Sequence, residues 1–305
     1  MALFRSAQLP GLFGGVSVLK FRKAAYLAVL VTAFVSSARA QGTYKVVRVQ
    51  GAVSTYCWGI NSAGDVVGFY SDGSHSHGFL ASGGTITTFD KVGATDTYAR
   101  GINDLGQIVG STDTNGFLYD ISTGVFTTLQ YPRDGSRTFP YSINNAGTIT
   151  GYIVIAGERV GFELNGTTYT TTRAPGSFGT VLSSINNQGD ALVQGLDETG
   201  FITSAYLRRQ GKMTKLDISS GRYPFAINDA NALVGFRGPV HYGFEGFVQQ
   251  GNLRQSLKVH GSPGTFTFAI NNSGTVAGWY VDENGVNDVG FTWTPPTVRK
   301  GIKSD

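Results

Sequence analysis

Residues 101–110 read Gly-Ile-Asn-Asp-Leu-Gly-Gln-Ile-Val-Gly, and the Ile-Asn pair inside them recurs through the chain. It stands at Ile60-Asn61, Ile102-Asn103, Ile143-Asn144, Ile185-Asn186, Ile227-Asn228 and Ile270-Asn271, at intervals of 41 to 43 residues. A fixed period of that length marks a repeat architecture. The residue before each Ile is small (Gly59, Gly101, Ser142, Ser184, Ala226, Ala269), and four before it stands Tyr56, Tyr98, Phe139, Val181, Tyr223 or Phe266. Alternation of this kind predicts a strand with the aromatic and the Ile on one face. The small residues predict close approach of a neighbouring sheet or of a central axis.

Three residues after each Asn comes Gly64, Gly106, Gly147, Gly189, Asn231 or Gly274. Gly and Asn accept the left-handed conformation most readily. A type I turn closed by a G1 bulge requires it there, and the leading Asn can bond backbone two residues on. A second strand follows each turn, as at Gln107–Gly110. A third contains Gly78-Phe79, Gly116-Phe117, Gly161-Phe162, Ala205-Tyr206, Gly246-Phe247 or Gly290-Phe291, and a Thr-rich fourth follows in five repeats. Four short strands in about 42 residues is the size of a propeller blade. The sixth repeat stops after its third strand, while Lys45–Asn61 aligns without a gap onto Thr87–Asn103. Lys45-Val46-Val47-Arg48 is therefore expected to supply the missing strand. The expected fold is all-β: a six-bladed β-propeller over 41–296, closed by its N-terminal strand.

The runs Gly101–Gly110, Ser76–Leu80 and Thr87–Asp104 resemble the bacterial extracellular repeat called the HAF family, and the likeness extends over nearly all of residues 43–293. Val193 and Asn231 depart from it, standing where other repeats have Gly. The resemblance implies a secreted or cell-surface bacterial protein with a propeller-like fold. It implies no activity, substrate or catalytic residue.

Lys20, Arg22 and Lys23 precede the apolar run Ala24–Val35 and an Ala38-Arg39-Ala40 site, which together predict a secretory signal peptide over 1–40. The mature chain is then expected to be secreted, extracellular or periplasmic, with no membrane insertion after cleavage. Residues 297–305 are polar and expected to form a flexible tail. Residues 1–40 hold five basic and no acidic residues; removing those five from 24 Lys and Arg leaves 19 against 20 Asp and Glu. Without a basic excess in the folded part, nucleic acid is not an expected partner. One cysteine, Cys57, excludes an internal disulfide framework and reads as a small buried thiol.

The loops between second and third strands vary in length, and variation on one face of a rigid scaffold is where binding resides. His75, His77, Glu158, Arg159, His241, Tyr242, Asp282 and Glu283 fall on them. His75 and His77 could place two imidazoles on one side of an extended loop, without a third ligand, and no metal or other cofactor is expected. His241-Tyr242 reads either as an acid–base pair acting on a sugar or as a solvated loop. Arg100 interrupts a column otherwise filled by Trp58, Tyr141, Ser183, Phe225 and Phe268. Its guanidinium could face the axis and hold an anion, or snorkel to water.

These observations favour a monomeric, non-catalytic binding module. Its expected ligand is a glycan, surface polymer or protein on the variable-loop face, with the residues just named as its contacts. The alternative is a propeller enzyme (lyase, hydrolase or lactonase) acting on extracellular carbohydrate, which requires His75, His77, Arg100, His241 and Tyr242 to converge.

Overall fold

The computed structural model describes residues 42–240 and 243–296. The signal-peptide and tail readings lie outside the described residues, as do His241 and Tyr242. The described chain contains twenty-four strands and no helix. They form six four-stranded antiparallel sheets arranged as a six-bladed β-propeller. Blade I comprises Ser54–Ile60, Val66–Ser71, Ser76–Ser82 and Thr85–Phe89. Blades II to V repeat this order, their innermost strands being Thr97–Ile102, Arg137–Ile143, Gly179–Ile185 and Arg222–Ile227.

Blade VI takes its outermost strand from the other end of the chain. Thr43–Val47 pairs with Asp288–Thr294, from Thr43 opposite Thr294 to Val47 opposite Gly290. This is the expected closure in the register of the alignment, with the strand beginning two residues before Lys45 and ending one before Arg48. Val47, Val49 and Ala52 then pack with Cys57, Ile60, Phe79, Ala269 and Ala277, which cements blade VI to blade I. The third-strand aromatics Phe79, Phe117, Phe162 and Phe291 are wholly buried, and apolar clusters likewise span the junctions of blades I–II, II–III and V–VI.

Each innermost strand carries a β-bulge at the same position, and this corrects the simple alternation. Register slips between Cys57 and Gly59, Ala99 and Gly101, Pro140 and Ser142, Leu182 and Ser184, Pro224 and Ala226, and Thr267 and Ala269. The skipped residues are Trp58, Arg100, Tyr141, Ser183, Phe225 and Phe268. One extra residue reverses the face of everything beyond it. The aromatic and the Ile are therefore not on one face. Tyr56 packs with the axial aromatics, while Ile60 packs between blades.

The small residue after each bulge lies where neighbouring inner strands nearly touch. A Cβ added to Gly59 would stand 2.8 Å from the Arg100 carbonyl, and one on Gly101 would stand 2.9 Å from that of Tyr141. The turns match expectation. Gly106 N–H donates to the Asn103 carbonyl, and the fourth turn residue is left-handed throughout, Asn231 (φ 59°) included.

Candidate functional site

The six bulges aim one side chain per blade at the axis. Trp58, Arg100, Tyr141, Ser183, Phe225 and Phe268 line one cavity of about 100 Å3, which extends outward to the Asn-led turns. Arg100 is 8% exposed, so its side chain does not snorkel to water. Its guanidinium carbon sits 4.6 Å from the Trp58 ring centre and 4.7 Å from that of Tyr141, one ring from each neighbouring blade. Cation–π contact favours the charge there but supplies no acceptor. Its Nε and Nη1 are buried without a hydrogen-bond partner, and so is Ser183 Oγ.

Two belts of hydrogen bonds surround the cavity mouth. The Asn Oδ1 atoms bond their own turns, as expected; Asn144 Oδ1 accepts from Ala146 N–H (3.1 Å) and Thr148 N–H (3.0 Å). Their Nδ2 groups reach the next blade. Asn103 donates to the Asn144 carbonyl, Asn144 to Asn186, Asn186 to Asn228, Asn228 to Asn271 and Asn271 to Asn61. Asn61 Nδ2 turns instead to Asp65 Oδ2. A second belt runs through the following residue. Ser62 N–H donates to Asp104, Asp104 N–H to Asn145, Asn145 N–H to Asn187, Asn187 N–H to Asp229 and Asp229 N–H to Asn272. Burial would raise the Asp104 carboxyl, but bonds from Asn145 and Ser62 outweigh it and hold the group below the usual carboxylate range. Hairpin geometry accounts for Oδ1 alone. The inter-blade role of Nδ2 is invisible in a single repeat.

On the variable-loop face the sequence candidates are scattered. His75 is exposed in a tight turn, its N–H bonded to Asp72 Oδ1. His77 lies in the third strand of blade I, with Nδ1 2.8 Å from Asp90 and Nε2 3.4 Å from Asp72. Glu158 pairs with Arg173 on blade III, and Arg159 lies over the Tyr152 ring at 5.5 Å. Asp282 accepts from Val286 N–H and from Asn287 Nδ2 within its own turn on blade VI, while Glu283 is exposed beside Gly261. The described candidates thus fall in pairs on blades I, III and VI, Arg100 stands apart on the axis, and the convergence that the enzyme alternative requires does not occur among them. The described residues hold no group of three or more His, Cys, Asp or Glu side chains placed to hold a metal ion. Cys57 is fully buried, and burial pushes its thiol far up, away from the thiolate form.

No protein-family model and no curated protein matches the sequence. Solved structures match its fold. A protein put forward as a gluconolactonase has a TM-score of 0.54 at 11% identity, covering 84% of this chain and 93% of its own. TolB from Acinetobacter baumannii has a TM-score of 0.51 at 12% identity, covering 73% and 60%. Regucalcin from Agrobacterium tumefaciens, a calcium-binding protein, has a TM-score of 0.50 at 14% identity, covering 85% and 98%. At such identities the likeness is one of fold alone.

Sequence reasoning passed over two exposed aromatics on the variable-loop face. Phe178 (50% exposed) and Phe201 (67% exposed) emerge from adjacent loops of blade IV. Phe178 N–H donates to the Leu196 carbonyl, and Asp197 N–H donates to the Phe201 carbonyl. No repeat column marks either position, so only their exposure reveals them.

His77 is a structural clamp with a measurable signature. Partial burial pulls its imidazole down, but bonds and charge from Asp90 and then Asp72 outweigh it and raise the group above 6.5. A raised basic group stabilises the fold fully below its unfolded pKa, and that contribution is lost as pH rises through the folded value. An NMR titration is expected to place the His77 midpoint above 6.5 in the folded protein, and Asp90→Asn is expected to lower it. A midpoint below 6.5 would contradict the clamp.

Proposed function

We propose that this chain is an exported, HAF-type β-propeller that binds an extracellular glycan or protein on its variable-loop face and does not transform it. One observation carries this reading. The variable-loop face exposes Phe178 and Phe201 on blade IV, whereas Asp72, His77, Glu158 and Asp282 are bonded to structural partners. Exposed aromatic faces suit stacking against sugar rings or packing against a protein partner. The signal-like residues 20–40 and the likeness of the repeat to extracellular HAF sequences support export.

The test is co-sedimentation of the protein with a panel of insoluble extracellular polysaccharides, with each supernatant assayed for new reducing or unsaturated ends. Pelleting without product is expected. Removing one stacking ring removes about 0.5–1.5 kcal/mol beyond its area term. Phe201→Ala or Phe178→Ala is therefore expected to weaken pelleting about tenfold while leaving the melting temperature unchanged. Product formation would overturn the non-catalytic reading, and pelleting untouched by both substitutions would move the site elsewhere.

A further inference from the structure

The axial cavity lies at the opposite end from the variable-loop face, and the reading above leaves it without a role. Burying a guanidinium whose N–H groups lack acceptors is costly, whereas an arginine kept for packing is ordinarily paired. No ion pair reaches Arg100 among the described residues. Trp58 and Tyr141 flank it, and Phe69 and Tyr98 lie 6.0 and 5.9 Å away; Nε and Nη1 are the nitrogens shut in without an acceptor, so a ligand in the cavity that Arg100 lines would have to draw the guanidinium toward it. In the same layer Ser183 brings a second buried, unpartnered donor, and Phe225 and Phe268 complete an apolar wall.

We propose that this cavity binds a small monoanionic carboxylate, held by Arg100 and Ser183 with its apolar part against the aromatic wall. Three features select that class. A guanidinium fork matches a carboxylate geometrically. A cavity of about 100 Å3 admits only a small molecule. Asp104 and Asp229 stand at the mouth, each holding donors from neighbouring turns. Two rim carboxylates against a single inner cation oppose any anion in proportion to its charge, and so oppose a dianion such as sulfate more than a monoanion.

The test is titration of the intact protein with benzoate, followed by calorimetry and by tryptophan fluorescence, since Trp58 flanks the guanidinium. Benzamide, chloride and sulfate serve as comparison probes. Saturable benzoate binding is expected, with benzamide weaker by about tenfold or more because it forfeits a charge-assisted pair. Arg100→Met is expected to abolish binding, Arg100→Lys to weaken it by about tenfold or more, and Ser183→Ala by several-fold. The probe comparison uses the unaltered protein, so it stands even if an Arg100 variant fails to fold. Absence of saturable benzoate binding, equal binding of benzamide, equal or tighter binding of chloride or sulfate, or full retention by a folded Arg100→Met would each overturn the assignment.

Discussion

A chain that begins at residue 51 is expected to lose its cooperative thermal transition, whereas one that begins at residue 41 keeps it. The removed segment includes Thr43–Val47, which supplies the entire outermost ladder of blade VI. Without it the strand Asp288–Thr294 becomes an open edge, and Phe291 and Trp293, now buried, lose their cover. The Tyr44 ring, 5.4 Å from that of Phe291, goes too, as do Val47 and Val49 from the junction with blade I. Each buried aliphatic side chain contributes about 1.5–3 kcal/mol. With the ladder bonds added, the loss rivals the roughly 5–15 kcal/mol that holds a whole domain together. Among the described residues no disulfide substitutes for the closure. An unpaired edge also invites pairing with other chains, so soluble aggregates are expected by light scattering. Calorimetry decides the matter. A sharp transition within a few degrees of the longer chain would show that the ring holds without its closing strand.

Asn144→Ala is expected to be strongly destabilising. Its Oδ1 holds the N–H groups of Ala146 and Thr148, and its Nδ2 holds the Asn186 carbonyl of the next blade. Removing all three leaves partners stranded at a buried site, at about 1 kcal/mol per bond and so roughly 3 kcal/mol in total. For a chain of this size that lowers the melting temperature by roughly 6–12 °C. Asn144→Asp keeps the Oδ1 bonds and loses the inter-blade one, so its melting temperature should fall between those of the Ala variant and the parent. An Asn144→Ala protein melting within about 2 °C of the parent would show that the belts are incidental to closure.

Much of this could be read from one dimension because it is local or periodic. The left-handed fourth turn residue, the Oδ1 bonds of the turn and the small residue after the bulge each follow from what a residue type can do within a few positions. Counting repeats and finding the sixth one short led to ring closure, because propellers suppress open edges. What escaped the reading was the bulge. Alternation assumes a regular pleat, and an extra residue at Trp58 or Phe225 leaves no mark in hydrophobic pattern, since an axial aromatic and a core side chain are equally apolar.

The candidate sites show the same division. The sequence singled out Arg100 as a break in its column, but its lack of an acceptor depends on what neighbouring blades place around it. In the sequence His77, Glu158 and Asp282 read as candidates on variable loops, and the fold bonds them to Asp90, Arg173 and turn amides. Phe178 and Phe201 gave no warning, because exposure belongs to the folded surface and not to the residue. By itself the sequence determined the blade, the number of blades and the strand that closes them, since repetition makes local geometry add up to a ring. Only the tertiary structure decided which side chains meet at the axis and which loop residues remain free. The axial contacts join residues about 40 or more positions apart, and nothing in the order of the chain records the distance between them.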